Sequence, residues 1–238
     1  MEAANQFAAR TAGWDKAAMD NTVKSAGAAV PREIPRWVKY GYTAFMAVLI
    51  PVYWWHYGPT NFLYFCDVAL LLTLVGVWVG SARLISLAAV GILLPQFVWC
   101  ADFLAELVGG RLTGMTSYMF DGGRPLFLRA LSGFHGWLPF LLLFLLGRTG
   151  YDGRALRGWT GLAAVLCAVS FLLLPGPGVS AEGDLRPRNV NYVHGMSESE
   201  PQKLMPPAVY VLAWFGVLTG LVYVPTHHFL KRRFPRAA

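Results

Sequence analysis

Charge is scarce in this chain. Lys, Arg, Asp and Glu together make up 14% of its 238 residues, against about 25% in ordinary soluble domains. With 55% hydrophobic residues gathered into long runs, that scarcity excludes a water-soluble domain of the usual kind. Cysteine is scarce as well. Cys66, Cys100 and Cys167 all fall inside apolar runs, and an odd number so placed argues against a disulfide framework. The sequence contains no glycine-rich phosphate loop, no Gly-x-Ser-x-Gly elbow, no CxxC pair and no HxxxH or HExxH spacing. Neither a metal nor a cofactor is therefore expected. There is no internal repeat of the kind that builds transporters from inverted halves. No basic-aromatic module accompanies the formal net charge of +7, so nucleic acid is not an expected partner. The first 35 residues also lack a short apolar core after a basic start, so the first apolar segment is expected to act as an uncleaved insertion signal.

What is present is six apolar segments, at about 38–57, 61–80, 84–108, 125–146, 159–174 and 207–230. Each is near the roughly 20 residues that span a hydrocarbon core. The expected fold is an all-α polytopic membrane bundle of six transmembrane helices. Basic residues orient it. Fourteen of the twenty Lys/Arg lie in the N-terminal segment through Lys39, around Arg83, at Arg148, Arg154 and Arg157, and in the C-terminal tail from Lys231. By the positive-inside rule both termini are cytoplasmic, which requires an even number of spans. The expected divisions are a cytoplasmic segment 1–36, a bundle 37–230 and a basic cytoplasmic tail 231–238, in the inner (plasma) membrane. The 1–36 segment reads either as short surface helices interrupted at Gly13, Pro31 and Pro35 or as a poorly ordered tail.

On the opposite side the connections are unequal. His56 to Thr60 is a tight turn, while 109–124 is bracketed by glycines and mixes apolar with polar residues. The connection 176–206 is the longest, and loops beyond about 12–15 residues are usually functional or disordered. It contains Asn189-Val-Asn191-Tyr192-Val-His194-Gly195, whose amides, hydroxyl and imidazole do not resemble a flexible linker.

Ionisable residues within the apolar segments are the candidates for function. At about 1.5 Å per residue, Asp67 and Asp102 lie about 9 Å below the outer surface, Arg129 about 7 Å and His135 about 16 Å, with Glu106 near the surface. Arg129 is suited to bridge the two carboxylates bidentately. On the fourth segment Arg129, Ser132 and His135 share one face, and on the third Trp99, Asp102 and Glu106 do, just after Pro95. Two readings stay open. Asp67–Arg129–Asp102 is a buried ion pair that fixes packing, or Cys66, Asp67, Asp102 and His135 form a catalytic group. In the second case Arg129, Glu106, Asn189, Asn191, Tyr192 and His194 would bind substrate under the outer loop.

At Cys66-Asp67-Val-Ala-Leu and Phe134-His135-Gly136 the chain resembles the YwaF-like bacterial integral membrane proteins. These are similar in turn to androgen-induced-gene type lipid hydrolases and an autophagy-linked acyltransferase. The resemblance covers the second to fourth apolar segments. It implies an intramembrane nucleophile, Cys66, with His135 as base, acting in a bacterial inner membrane on membrane lipids. The depths above place thiol and imidazole about 7–9 Å apart along the membrane normal, too far for a direct hydrogen bond. Three functions follow as expectations: acyl or ester chemistry on lipids, a non-catalytic subunit of a membrane complex with a protein partner, or a proton-linked carrier for small solutes.

Overall fold

A computed structural model describes residues 32–178, 184–197 and 199–236. It is all-α, and its helical segments coincide with the six apolar runs. The 1–36 segment, and with it the choice between surface helices and a tail, lies almost wholly outside the described residues.

Helix α1 (Arg36–Tyr57) starts behind Pro35 and ends at Gly58, whose φ of 76° a side chain would resist. A 3-10 turn, Pro59–Leu63, leads into the short helix α2 (Phe65–Val79). Gly80 closes α2 in the left-handed conformation, with Ser81 N–H returning to the Gly76 carbonyl. The Ser81 hydroxyl then accepts from Leu84 N–H and caps α3 (Ala82–Leu107). Only two residues separate these helices, so they pack antiparallel along their length, and Gly76 lies tight against Ile85.

Helix α3 is the centre of the molecule. It touches α2 and the later helices, and its run Ala88-Ala-Val-Gly91 is fully or almost fully buried. A Cβ on Gly91 would fall 1.9 Å from the Trp159 ring, so glycine is the residue that lets the α6 indole seat on the α3 backbone. The fourth segment is α4 (Leu126–Ser132) and α5 (Phe134–Thr149), broken at Gly133. The fifth is α6 (Ala155–Leu173). The sixth joins α7 (Pro207–Val217) to α8 (Val224–Arg233) through a wide π-turn, Leu218–Tyr223.

Four of the six segments are long and apolar enough to cross a membrane: 82–107, 126–149, 155–173 and 207–233. Of the other two, α2 has 15 residues and α1 is diluted by tyrosines, tryptophans and His56. Large apolar side chains face outward, among them Leu172 (72% exposed), Leu212 (71%) and Leu221 (68%). Such a surface is an interaction or lipid-facing one.

The two ends of the bundle differ. At one, Arg32 N–H donates to the Arg148 carbonyl, Arg148 donates to the Glu33 carbonyl, and Tyr151 N–H donates to the Phe234 carbonyl. Asp152 pairs with Arg154 at 2.7 Å and Arg236 at 3.8 Å. The beginning and end of the described chain therefore meet at the same end of the bundle. The long connections gather at the other.

Candidate functional site

At the loop-bearing end a cavity of about 730 Å³ opens between α1, α2, α3, α5 and the π-turn. Its size is that of a small-molecule or lipid-fragment pocket. Cys66, Asp67, His135, Asn191 and Tyr192 all line it, so five of the residues singled out from sequence converge on one space. Asp102, Glu106, Arg129, Asn189 and His194 do not line it.

Asp67 sits in the first turn of α2. Because α2 begins at Phe65 rather than near Asn61, the carboxylate lies about 3 Å past the helix start and shallower than the sequence estimate. The positive end of the helix dipole offsets part of its burial cost. The Cys66 thiol donates to Asp67 Oδ2 at 3.5 Å, while Asp67 Oδ1 is buried without a hydrogen-bond partner. Such an atom forfeits its hydration unless something entering the cavity supplies a donor.

His135 lies just past the Gly133 break. Its ring is stacked between Trp99 (centroids 5.0 Å apart) and Phe134 (4.1 Å). Gln96 Oε1 is 2.9 Å from Nδ1. A carbonyl oxygen accepts, so Nδ1 carries the proton and Nε2 carries the lone pair. Beside it, Trp99 Nε1 is a buried donor close to Tyr118, with no full hydrogen bond among the described residues. Pro95 has no N–H to give to the Gly91 carbonyl one turn back, and both residues line the cavity. On the α1 side, the Tyr53 and Ser132 hydroxyls hold each other at 2.7 Å. The π-turn presents Tyr223, fully buried against the Trp159 ring, its hydroxyl without a full hydrogen bond among the described residues. Wide turns of this kind occur often at functional positions.

The Asp67–Arg129–Asp102 bridge expected from depth does not form among the described residues. Arg129 donates instead to the carbonyls of Arg124 and Met119. Asp102 is consumed by the returning loop: Oδ1 accepts from the N–H groups of Leu112, Thr113 and Gly114, and Oδ2 from the N–H and hydroxyl of Thr116. Glu106 accepts from the Ser117 hydroxyl, and its other oxygen lies 2.7 Å from the Thr116 hydroxyl, whose single proton it shares with Asp102. The reason is geometric. The 109–124 connection folds back onto the end of α3, and its peptide N–H groups reach Asp102, taking both carboxylate oxygens. Asp102 is thus a loop clasp, removed from the catalytic set, and Glu106 and Arg129 belong to the same loop scaffold.

The Asn189–Gly195 segment is a built structure. Asn189, Asn191 and Tyr192 adopt φ of 51°, 59° and 58°, strained for residues other than glycine. Asn189 holds the turn through the carbonyls of Gly195 and Ser197 and the N–H of His194. Asn191 Oδ1 accepts from Phe65 N–H, and its Nδ2 donates to the Leu63 carbonyl. It therefore satisfies an otherwise orphaned donor at the start of α2, one residue before Cys66. Trp214 donates to the Asn191 carbonyl and ties the sixth helical segment to the same point. His194 packs on Phe171 at 5.2 Å, with Nε2 unpartnered and its pKa lowered by burial. It is a packing residue of the loop.

Gln96, Trp99, Tyr53 and Tyr223 are site residues that were not proposed from sequence as functional. They carry no charge, so an apolar helix hides them; the one signal was a polar Gln96 directly after Pro95 in an otherwise apolar run. Among the described residues no group of three or more His, Cys, Asp or Glu is placed to hold a metal ion. No family model, curated protein or solved structure matches this chain, so its function is argued from the cavity.

Proposed function

We propose that the protein is a six-span bacterial inner-membrane protein, with both termini cytoplasmic, that performs acyl or ester chemistry on membrane lipids in this cavity. The observation that carries the proposal is the joint lining of one lipid-sized space by a thiol–carboxyl pair and an imidazole whose tautomer is set by Gln96. The meeting of residues 32–33 and 234–236 with the 148–154 connection supports the even number of passes, and the basic residues there support a cytoplasmic assignment. The resemblance to YwaF-like proteins at Cys66-Asp67 and His135-Gly136 points to the same two residues.

The chemistry proposed uses each group where it stands. Cys66 Sγ attacks the carbonyl carbon of a lipid ester as its proton passes to Asp67 Oδ2. The C–O bond breaks, and the departing alkoxide takes that proton from Asp67 Oδ2. Trp99 Nε1 is a donor for the carbonyl oxygen on which negative charge develops. In the second half His135 Nε2 removes a proton from water, the hydroxide attacks the thioester, and the thiolate leaves and is reprotonated by the imidazolium. The sum is ester plus water giving acid plus alcohol; an acyltransferase would admit an alcohol in place of water. The first half needs no contact between Cys66 and His135, and in the second half the imidazolium proton returns to the thiolate through water in the cavity.

The test is hydrolysis of ester-linked phospholipids by purified protein in detergent or vesicles, with Cys66→Ala and His135→Ala beside wild type. Each substitution is expected to lower the rate by roughly 10²–10⁴-fold with thermal stability retained. Undiminished hydrolysis in Cys66→Ala would remove the proposal.

A further inference from the structure

The cavity's loop-end wall is cationic. Arg124, Arg186 and Arg188 line it together with the acidic residue Asp184. Arg124 is 3.5 Å from Asp121, in a pair of which both members are accessible to solvent, and it lies over the Tyr118 ring. An exposed pair of this kind is worth little and exchanges readily for a better anion. Among the described residues Arg186 and Arg188 make no ion pair, and the Arg188 guanidinium reaches to 3.1 Å from where a Cβ on Gly178 would stand. Glycine there keeps the space beside it open.

The same cavity is lined by Cys66, Asp67 and His135 and by apolar side chains, Leu94 and Val98 on α3 and Leu218 and Val222 on the π-turn. Leu94 and Val98 are 39% and 40% exposed, so this apolar lining is accessible to an acyl chain. A phospholipid carries the same three chemistries in one molecule: a phosphate, ester carbonyls and acyl chains.

We propose that Arg124, Arg186 and Arg188 form a head-group site selecting a net-anionic phospholipid, whose phosphate they hold while its ester lies at the Cys66–His135 level. Guanidinium groups are suited to this because their planar N–H pairs match phosphate oxygens. The site deepens the lipid-ester reading and rests on it for the identity of the buried end; its own claim concerns binding alone.

The test is native mass spectrometry of the full chain in neutral detergent, titrated with dioleoyl phosphatidylglycerol or dioleoyl phosphatidylcholine, each with and without millimolar inorganic phosphate. Wild type is expected to bind phosphatidylglycerol roughly tenfold more tightly than phosphatidylcholine. The Arg186→Gln/Arg188→Gln double variant is expected to lose that preference, Arg124→Gln to weaken it, and Arg186→Lys/Arg188→Lys to keep part of it. Cys66→Ala, untouched at the rim, keeps the full preference. Equal binding of both lipids by wild type, or an unchanged preference in the double glutamine variant, overturns the proposal. Full displacement of the lipid by inorganic phosphate shows a free-anion site and overturns it equally. Head-group preference without ester hydrolysis would sink the catalytic reading alone, and hydrolysis without preference would sink this one alone.

Discussion

Asp67 and Asp102 stand near the same end of neighbouring helices, both buried in apolar surroundings, yet their environments are opposite. Asp102, fully buried, accepts hydrogen bonds from four backbone N–H groups and a hydroxyl of the returning loop. Asp67 lines the cavity and has the Cys66 thiol on one oxygen, while its second oxygen is buried with no hydrogen-bond partner among the described residues. Burial and charge do not separate a structural carboxylate from a functional one. What separates them is whether the protein has used all of the group's hydrogen-bonding capacity.

The largest effect that would sharpen this contrast is predicted for Asp102→Ala. Four N–H groups would lose their acceptor, at a cost of about 3–5 kcal/mol. The expected outcome is poor yield or a large drop in unfolding temperature in detergent, checked by thermal denaturation. Asp67→Asn should do the reverse, leaving stability within about 1 kcal/mol of wild type or raising it, since a half-satisfied buried carboxylate is itself a cost. Lipid hydrolysis should nonetheless fall by at least about 10²-fold. If Asp67→Asn unfolds the protein and Asp102→Ala does not, the contrast is broken.

Next in size is Asn191→Ala, which removes the acceptor of Phe65 N–H and the donor to the Leu63 carbonyl. A loss of about 1–3 kcal/mol is expected, with weakened hydrogen-exchange protection confined to the start of α2. Gln96→Leu should lower the rate of hydrolysis at every pH, because the imidazole loses the acceptor that fixes its tautomer. A pH–rate profile reads this directly.

The smallest effect lies at the far end. Asp152 is held below the usual carboxylate pKa, first by its hydrogen bond from Arg154. A depressed pKa contributes stability that is present above the unfolded-state value near 3.9 and is lost as pH falls through the folded value. Docking of the C-terminal residues through Arg236 should therefore loosen only in strong acid. Asp152→Asn should mimic that loss at neutral pH by about 1 kcal/mol or less, followed as proteolytic release of the tail.

The contrast also explains what could be read without coordinates. The six helical segments are legible because run length and apolarity are one-dimensional properties. Cys66, Asp67 and His135 are legible as anomalies in such runs. Pairing Asp67 and Asp102 through Arg129 was not, because depth along a helix says nothing of rotation about it. Nor does it show that loop 109–124 returns its N–H groups to Asp102, or that the helix breaks at Gly133 between Arg129 and His135. Asn191 was recognisable as part of an unusual loop, but its partner at Phe65 lies 126 residues away. Tyr223 reaches the cavity on a π-turn that hydropathy does not register.

The most direct test of the central claim is a search for an acyl group on Cys66. Wild-type protein incubated briefly with phosphatidylglycerol vesicles, quenched in acid and digested would be analysed by mass spectrometry. The account predicts a fatty-acyl thioester on the Cys66 peptide that hydroxylamine releases, that accumulates in His135→Ala and that is absent at Cys100 and Cys167. An unmodified Cys66 in both proteins, with lipid still being hydrolysed, would contradict it.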